Sequence, residues 1–237
     1  MKLSAPVYQL KRKARLLSRR DSIPLCEALD RVASQDGYGG WSLLAAKAAA
    51  TRPAGKLFAQ LSPGDCVLVG ARAGQGKTLM SLELAVEAMK SGNRSVFFTL
   101  EYTERDVLEC FRTLGLELAR FEGLFETDRS DAISADYIVR RLASASCGTL
   151  VVIDYLQLLD QRRENPELMV QVRTLKSFAR EKGWIVVFLS QIDRSYDPLT
   201  KPCPDMKDVR LPNPLDLRLF SKACFLHNGE IRFRAVN

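Results

Sequence analysis

The sequence predicts an α/β fold, with a mostly parallel central sheet flanked by helices and preceded by a small helical segment. Three observations predict it. From about residue 56 short strands alternate with helices, those strands are continuously apolar, and the first 50 residues show helical periodicity alone. Continuous apolar strands suit a sheet covered on both faces. Strand–helix alternation of this kind is the pattern of a parallel sheet. The expected division is a basic helical segment at 1–52 and an α/β domain at 53–237.

In the first segment Val7, Leu10, Ala14 and Leu17 fall on one helical face. Ser22 and Pro24 start a second helix with Leu25, Ala28, Leu29, Val32 and Ala33 as its stripe. Gly37, Gly39 and Gly40 break it, a third short helix is expected over Trp41–Ala50, and Thr51–Gly55 reads as a linker. Cys66–Val69 and Ser95–Leu100 then read as strands, with a helix over Thr78–Lys90 between them. Thr103 is placed to cap a helix running to about Arg120. Leu150–Ile153 is a buried strand, Pro166–Lys182 a helix stopped by Gly183, and Trp184–Leu189 another strand. The tail, Lys222–Leu226 and Ile231–Val236 about Asn228-Gly229, reads as a hairpin.

The 237 residues are 46% apolar and 27% charged, as in an ordinary globular protein. No apolar run of about 18 residues indicates a membrane span, and no apolar stretch follows the basic start as in a secretory signal. The expected location is cytoplasmic. Six scattered cysteines without a C-x-x-C pair, and a single histidine, His227, argue against zinc, a disulfide framework and a histidine-based triad. The net charge is +7, and Lys2, Lys11, Arg12, Lys13, Arg15, Arg19 and Arg20 fall within the first 20 residues, which contain no acidic residue. Removing those seven leaves 28 basic against 28 acidic residues, so the excess charge is a property of the N-terminal arm.

Ala71-Arg72-Ala73-Gly74-Gln75-Gly76-Lys77-Thr78 follows a predicted strand and opens a predicted helix, which is the context of a Walker A phosphate loop. Its glycines let successive N–H groups converge on phosphate, and the helix N-terminus adds favourable partial charge. The nucleotide-binding candidates are Ala73, Gly74, Gln75, Gly76, Lys77, Thr78 and Leu79, with Lys77 on the β and γ phosphates and Thr78 on magnesium. Leu150–Asp154 is an apolar strand ending in a carboxylate, the Walker B form, so Asp154 is the second candidate magnesium residue. Glu101 follows the strand Ser95–Leu100 and is a candidate for activating water. Gln191, at the end of the next strand, is a candidate γ-phosphate sensor. The cofactors implied are ATP and Mg2+.

Together the A-R-A-G-Q-G-K-T loop, T-L-E-Y at 99–102, I-D-Y-L-Q-L-L at 153–159 and S-Q-I-D-R-S at 190–195 resemble the motor domain of DnaB-type replicative helicases. Asp208-Val209-Arg210 resembles the start of that family's D-L-R-E-S segment, and Ala71 fits the family's frequent alanine there. The chain is also similar to KaiC- and RadA-type ATPases. The resemblance runs from about residue 56 to the end. It implies a RecA-like P-loop NTPase core, ATP hydrolysis with Glu101 and Lys77 catalytic and Gln191 sensing, a homo-oligomeric, hexameric ring, and single-stranded DNA in a central channel.

Three departures bear on this. Leu211-Pro212-Asn213 replaces E-S-G, and only about 50 residues stand in the place of the family's primase-binding N-terminal domain. The Lys-x-Arg pair before the hairpin turn is replaced by Phe225, Leu226 and His227, which leaves Arg232 or Arg234 to stand in for the trans-acting arginine finger. Candidate DNA contacts are Arg162, Arg163, Arg194, Lys201 and Lys207. The N-terminal stretch faintly resembles small helical modules of bacterial glyoxalase-related proteins, through A-L-D-R-V-A at 28–33 and G-Y-G-G-W-S-L-L-A-A at 37–46. Two alternatives to a DNA motor follow. One is a regulatory KaiC/RadA-like switch without processive unwinding. The other is an ATP-modulated protein that binds DNA or an unknown protein partner through its N-terminus.

Overall fold

The computed structural model describes residues 4–5, 7–44, 53–211, 213–228 and 230–236. The chain divides into two compact units, Met1–Pro53 and Ala54–Asn237.

In the first unit α1 (Val7–Asp21) packs on α2 (Leu25–Gln35). Leu10 and Ala14 meet Ala28, Val32, Ala33 and Leu44 in a small buried cluster. Trp41–Leu44 is helical, where a third helix is expected, and the rest of that expected helix lies outside the described residues. Asp30 accepts the Trp41 N–H at 2.8 Å and so ties that helix start back to α2.

α3 (Pro53–Phe58) starts at the last residue of the first unit and leads into the second, where the sequence suggests a linker. Thr51 and Arg52 lie outside the described residues, but Pro53–Gly55 is helical. Proline's fixed φ suits a first helical turn, and Ala54 and Leu57 are buried in the core, which holds the short helix in place.

The sheet joins β1 (Cys66–Ala71), β2 (Ser95–Thr99), β3 (Phe125–Asp128), β4 (Leu150–Asp154), β5 (Ile185–Gln191), β6 (Lys222–His227) and β7 (Glu230–Ala235). Their spatial order is β3-β2-β4-β5-β1-β6-β7. Every pairing is parallel except the β6–β7 hairpin. Strands β1, β2 and β4 are buried along their whole length, which explains their lack of polar alternation. α4 (Lys77–Lys90) and α5 (Glu104–Thr113) cover one face together with α3. α6 (Ala135–Arg141) and α7 (Leu168–Lys182) cover the other.

The helix expected from Thr103 to about Arg120 stops at Thr113. Thr103 and Asp106 form a reciprocal capping box at its start. At its end Gly115 takes a φ of +72°, and the Leu116 N–H bonds back to Phe111, which closes the helix. The sequence reading missed β3 and α6, both short. α7 begins two residues later than expected, and β5 extends to Gln191.

Gly70 answers to a close approach. A Cβ there would lie 2.8 Å from the ring of Phe225 on β6.

Candidate nucleotide site

Polar residues at three strand ends share one face of the sheet. Phe97, Val152 and Leu189 lie in the core beneath α4. Side chains alternate with period two along a strand, so Thr99, Asp154 and Gln191, each two residues further on, return to that face. Thr99 pairs in register with Asp154, and Gln191 with Ala71. The phosphate loop leaves β1 at Ala71, so these strand ends surround it.

The loop itself is shaped by two glycines. Gly74 has a φ of +75° and Gly76 one of +88°, a region that favours glycine. Gly76 is also the N-cap of α4, and no side chain caps that helix. The leading N–H groups of a 14-residue helix are therefore presented beside the loop. Ala73 and Gly74 are exposed, Gln75, Gly76, Lys77 and Leu79 half-buried, and Thr78 buried. Leu79 also packs against the core under α4.

Thr78 donates its hydroxyl to Asp154 Oδ2 at 3.0 Å. The other oxygen, Oδ1, is buried without a hydrogen-bond partner among the described residues. An unsatisfied buried carboxylate oxygen is costly, and burial pushes the Asp154 carboxyl up to about 6. The nearby charge of Lys77 and the Thr78 hydrogen bond oppose that rise, while Glu101 adds to it. A carboxylate oxygen and a threonine hydroxyl at the mouth of a phosphate loop are the donor set that suits magnesium. The residues present therefore fit a magnesium–nucleotide pair.

Thr99 organises the neighbouring turn. Its hydroxyl accepts the Glu101 N–H at 3.1 Å and the Tyr102 N–H at 3.4 Å. That turns the chain just beyond β2 and leaves the Glu101 side chain exposed. The Tyr102 phenol is raised by burial, partly offset by a hydrogen bond with Thr78. Glu101, Tyr102, Thr78 and Asp154 are thus one electrostatic group. The sequence reading quotes Thr99 only within T-L-E-Y and gives it no role, although a threonine two residues before a glutamate that follows a strand is a turn signal in itself.

Two further contacts tie the loop to other segments. Arg72 donates to the backbone carbonyl of Arg194 at 3.1 Å and to that of Tyr196. Gln75 accepts the Asn228 N–H, in the hairpin turn, at 2.8 Å. Gln191 is held by Arg210, whose N–H donates to the Gln191 carbonyl at 2.8 Å and whose guanidinium lies 3.4 Å from the Gln191 amide oxygen. Of the candidate DNA contacts, Arg163, Arg194 and Lys207 are exposed. Arg162 pairs with Asp131 at 2.8 Å. Lys201 is held by Asp205 at 2.8 Å and Asp208 at 2.6 Å, so its charge is already answered within the loop.

A phosphate loop between β1 and α4, facing a strand-end aspartate in a mostly parallel sheet, defines a RecA-like P-loop fold. Comparison with known proteins agrees. Residues 124–213 match the family model of the DnaB-like helicase C terminal domain, a stretch shorter than half the chain. The replicative DNA helicase DnaB of Synechocystis sp. is 31% identical over 181 residues, covering 63% of this chain. The chain spans only about a fifth of that relative, 21% of its length. Among solved structures, a DnaB-like replicative helicase described with its primase interactions superposes with a TM-score of 0.59 at 18% identity, covering 92% of this chain and 66% of that one. A KaiC-like protein from Pyrococcus horikoshii superposes at 0.54 with 19% identity, covering 74% and 80%. The chain is therefore similar to the C-terminal domain of DnaB-type helicases in sequence and RecA-like in fold.

Proposed function

We propose that the chain binds and hydrolyses ATP with magnesium and couples hydrolysis to single-stranded DNA, as a DnaB-like helicase or translocase ATPase working in a homo-oligomeric ring. The observation that carries this is the Thr78–Asp154 contact with its orphaned carboxylate oxygen, at the mouth of the phosphate loop and flanked by Glu101 and Gln191.

Magnesium, when bound, supplies charge against the β- and γ-phosphate oxygens, and Thr78 and Asp154 are the residues to hold it. Lys77 would supply positive charge to the same phosphates. Glu101 orients the attacking water and takes its proton onto a carboxylate oxygen. The Gln191 amide meets the γ-phosphate. Its backbone bond with Arg210 passes any movement to the segment running from Asp193 to Arg210.

A second reading has one observation in its favour. The strand leading into the hairpin turn ends in Phe225, Leu226 and His227, all buried. Those three positions offer no lysine or arginine to reach a neighbouring subunit's nucleotide, which suits a slow, nucleotide-driven switch.

The test is ATP hydrolysis at low salt, with and without single-stranded DNA, beside Lys77→Ala. A rate that rises with DNA and vanishes in Lys77→Ala supports the motor. A Lys77-dependent rate indifferent to DNA selects the switch, and no hydrolysis in the wild type rejects both.

A further inference from the structure

The first unit concentrates the molecule's charge. Met1–Pro53 holds ten basic and four acidic residues, a formal +6, and the remainder carries 25 basic and 24 acidic, a formal +1. The fold decides where that charge points. Leu10 and Ala14 fix the buried seam of α1. At 100° per residue, Arg12 and Arg19 then lie directly opposite the seam, with Arg15 and Arg20 on either flank. All four are exposed.

The carboxylates among the unit's described residues are engaged away from the centre of this face, at Arg12 and Arg19. Asp21 and Glu27 pair with Arg31, at 3.9 Å and 2.8 Å, and Asp21 also with Arg20. Asp30 accepts the Trp41 N–H, and Asp36 accepts from Ser4. Arg12 and Arg19 make no ion pair among the described residues. The first turn of α1 contains no acidic residue, Arg19 and Arg20 in its last turn complement the helix dipole, and Lys11–Arg15 and Arg15–Arg19 repel at helical spacing. Two exposed cations without an ion pair, opposite the buried seam, suit a polyanionic partner. A bilayer is a poor match. The apolar seam is consumed by α2, and Leu16, 60% exposed, is the one large apolar side chain left exposed on α1 among the described residues.

We propose that the outer face of α1, centred on Arg12 and Arg19, docks a nucleic-acid phosphate backbone without sequence preference and without need of bound nucleotide. This goes beyond the motor reading and stands or falls apart from it.

The experiment is fluorescence anisotropy of the full chain with a labelled oligothymidylate, between about 50 and 200 mM salt, where cation–phosphate attraction weakens steeply. The variants are Arg12→Glu/Arg19→Glu and its neutral counterpart Arg12→Gln/Arg19→Gln. Arg112→Glu/Arg173→Glu, on exposed positions of the other unit, matches the charge change. Taking two cations away from the phosphate backbone should reduce the log–log salt slope by about 1.4 in the α1 variants. Binding should be weaker at every salt, with the Arg112/Arg173 variant near wild type. The same difference should persist in a Lys77→Ala background, and DNA-independent hydrolysis should be unchanged. An unaltered slope and affinity in both α1 variants overturns the proposal. So does binding to phosphatidylserine vesicles that the α1 variants lose while DNA binding holds. DNA-indifferent hydrolysis alongside α1-dependent DNA binding would sink the motor reading alone.

Discussion

The guanidinium of Arg72 lies over the ring of Tyr196, 5.3 Å from its centroid, and donates to the Tyr196 backbone carbonyl as well. Tyr196 in turn meets the edge of the His227 ring at 5.5 Å. One residue of the phosphate loop thus clamps the segment after β5 and, through it, the end of β6. A cation over an aromatic face and charged donors on two carbonyls are together worth on the order of 2 kcal/mol. Arg72→Ala should therefore speed amide exchange across residues 193–201 roughly tenfold or more, read by hydrogen-exchange mass spectrometry. It should also reduce any stimulation of hydrolysis by DNA. Unchanged protection of that segment would show that the clamp carries no energy.

Glu101 is exposed beyond a buried strand, and Thr99 holds the turn that presents it. Glu101→Gln should lower ATP hydrolysis by about 10²–10⁴ with nucleotide affinity retained, since it removes proton acceptance and little else. Thr99→Val keeps the shape and removes the acceptor for two N–H groups. It should lower kcat more than it raises KM for ATP. Steady-state kinetics with a nucleotide-binding titration separates the two effects.

Asp154 gives a pH signature. Burial raises its carboxyl to about 6, so the folded state holds that proton more tightly than the unfolded chain does. This group's contribution to stability is therefore greatest below the ordinary aspartate range and is lost as pH rises to about 6. The loss is on the order of 3 kcal/mol. Asp154→Asn should be more stable than wild type at pH 7 without nucleotide, and the gap should close as pH falls towards 4. Urea melts at several pH values check it. The same variant should lose hydrolysis, because the oxygen that costs stability is the one suited to the metal.

Gly70 separates β1 from the ring of Phe225. Gly70→Ala places a methyl 2.8 Å from that ring and 3.2 Å from Ile192. Overpacking of this kind costs about 1–3 kcal/mol, which should lower the melting temperature by several degrees in calorimetry. A second substitution, Phe225→Leu, should recover part of it.

The sequence by itself determined the order of elements, the phosphate loop and the strand-end carboxylates. Those features are local: an apolar run, a glycine pair and a polar residue at its end each follow from chemistry within a few residues. It also located the excess charge in the first 20 residues. Brief elements were lost to it. β3 and α6 span four and seven residues, too few for a period to show, and the stop at Gly115 needed a left-handed backbone that glycine permits but does not announce. Tertiary structure alone decided which residues meet. Thr78 and Asp154 are 76 positions apart, Arg72 and Tyr196 124 apart, and Gln75 and Asn228 153 apart. Their contacts exist because β1 lies between β5 and β6 in space, with β4 next beyond β5, and strand order is set by how the helices cover both faces of the sheet rather than by any neighbouring residue.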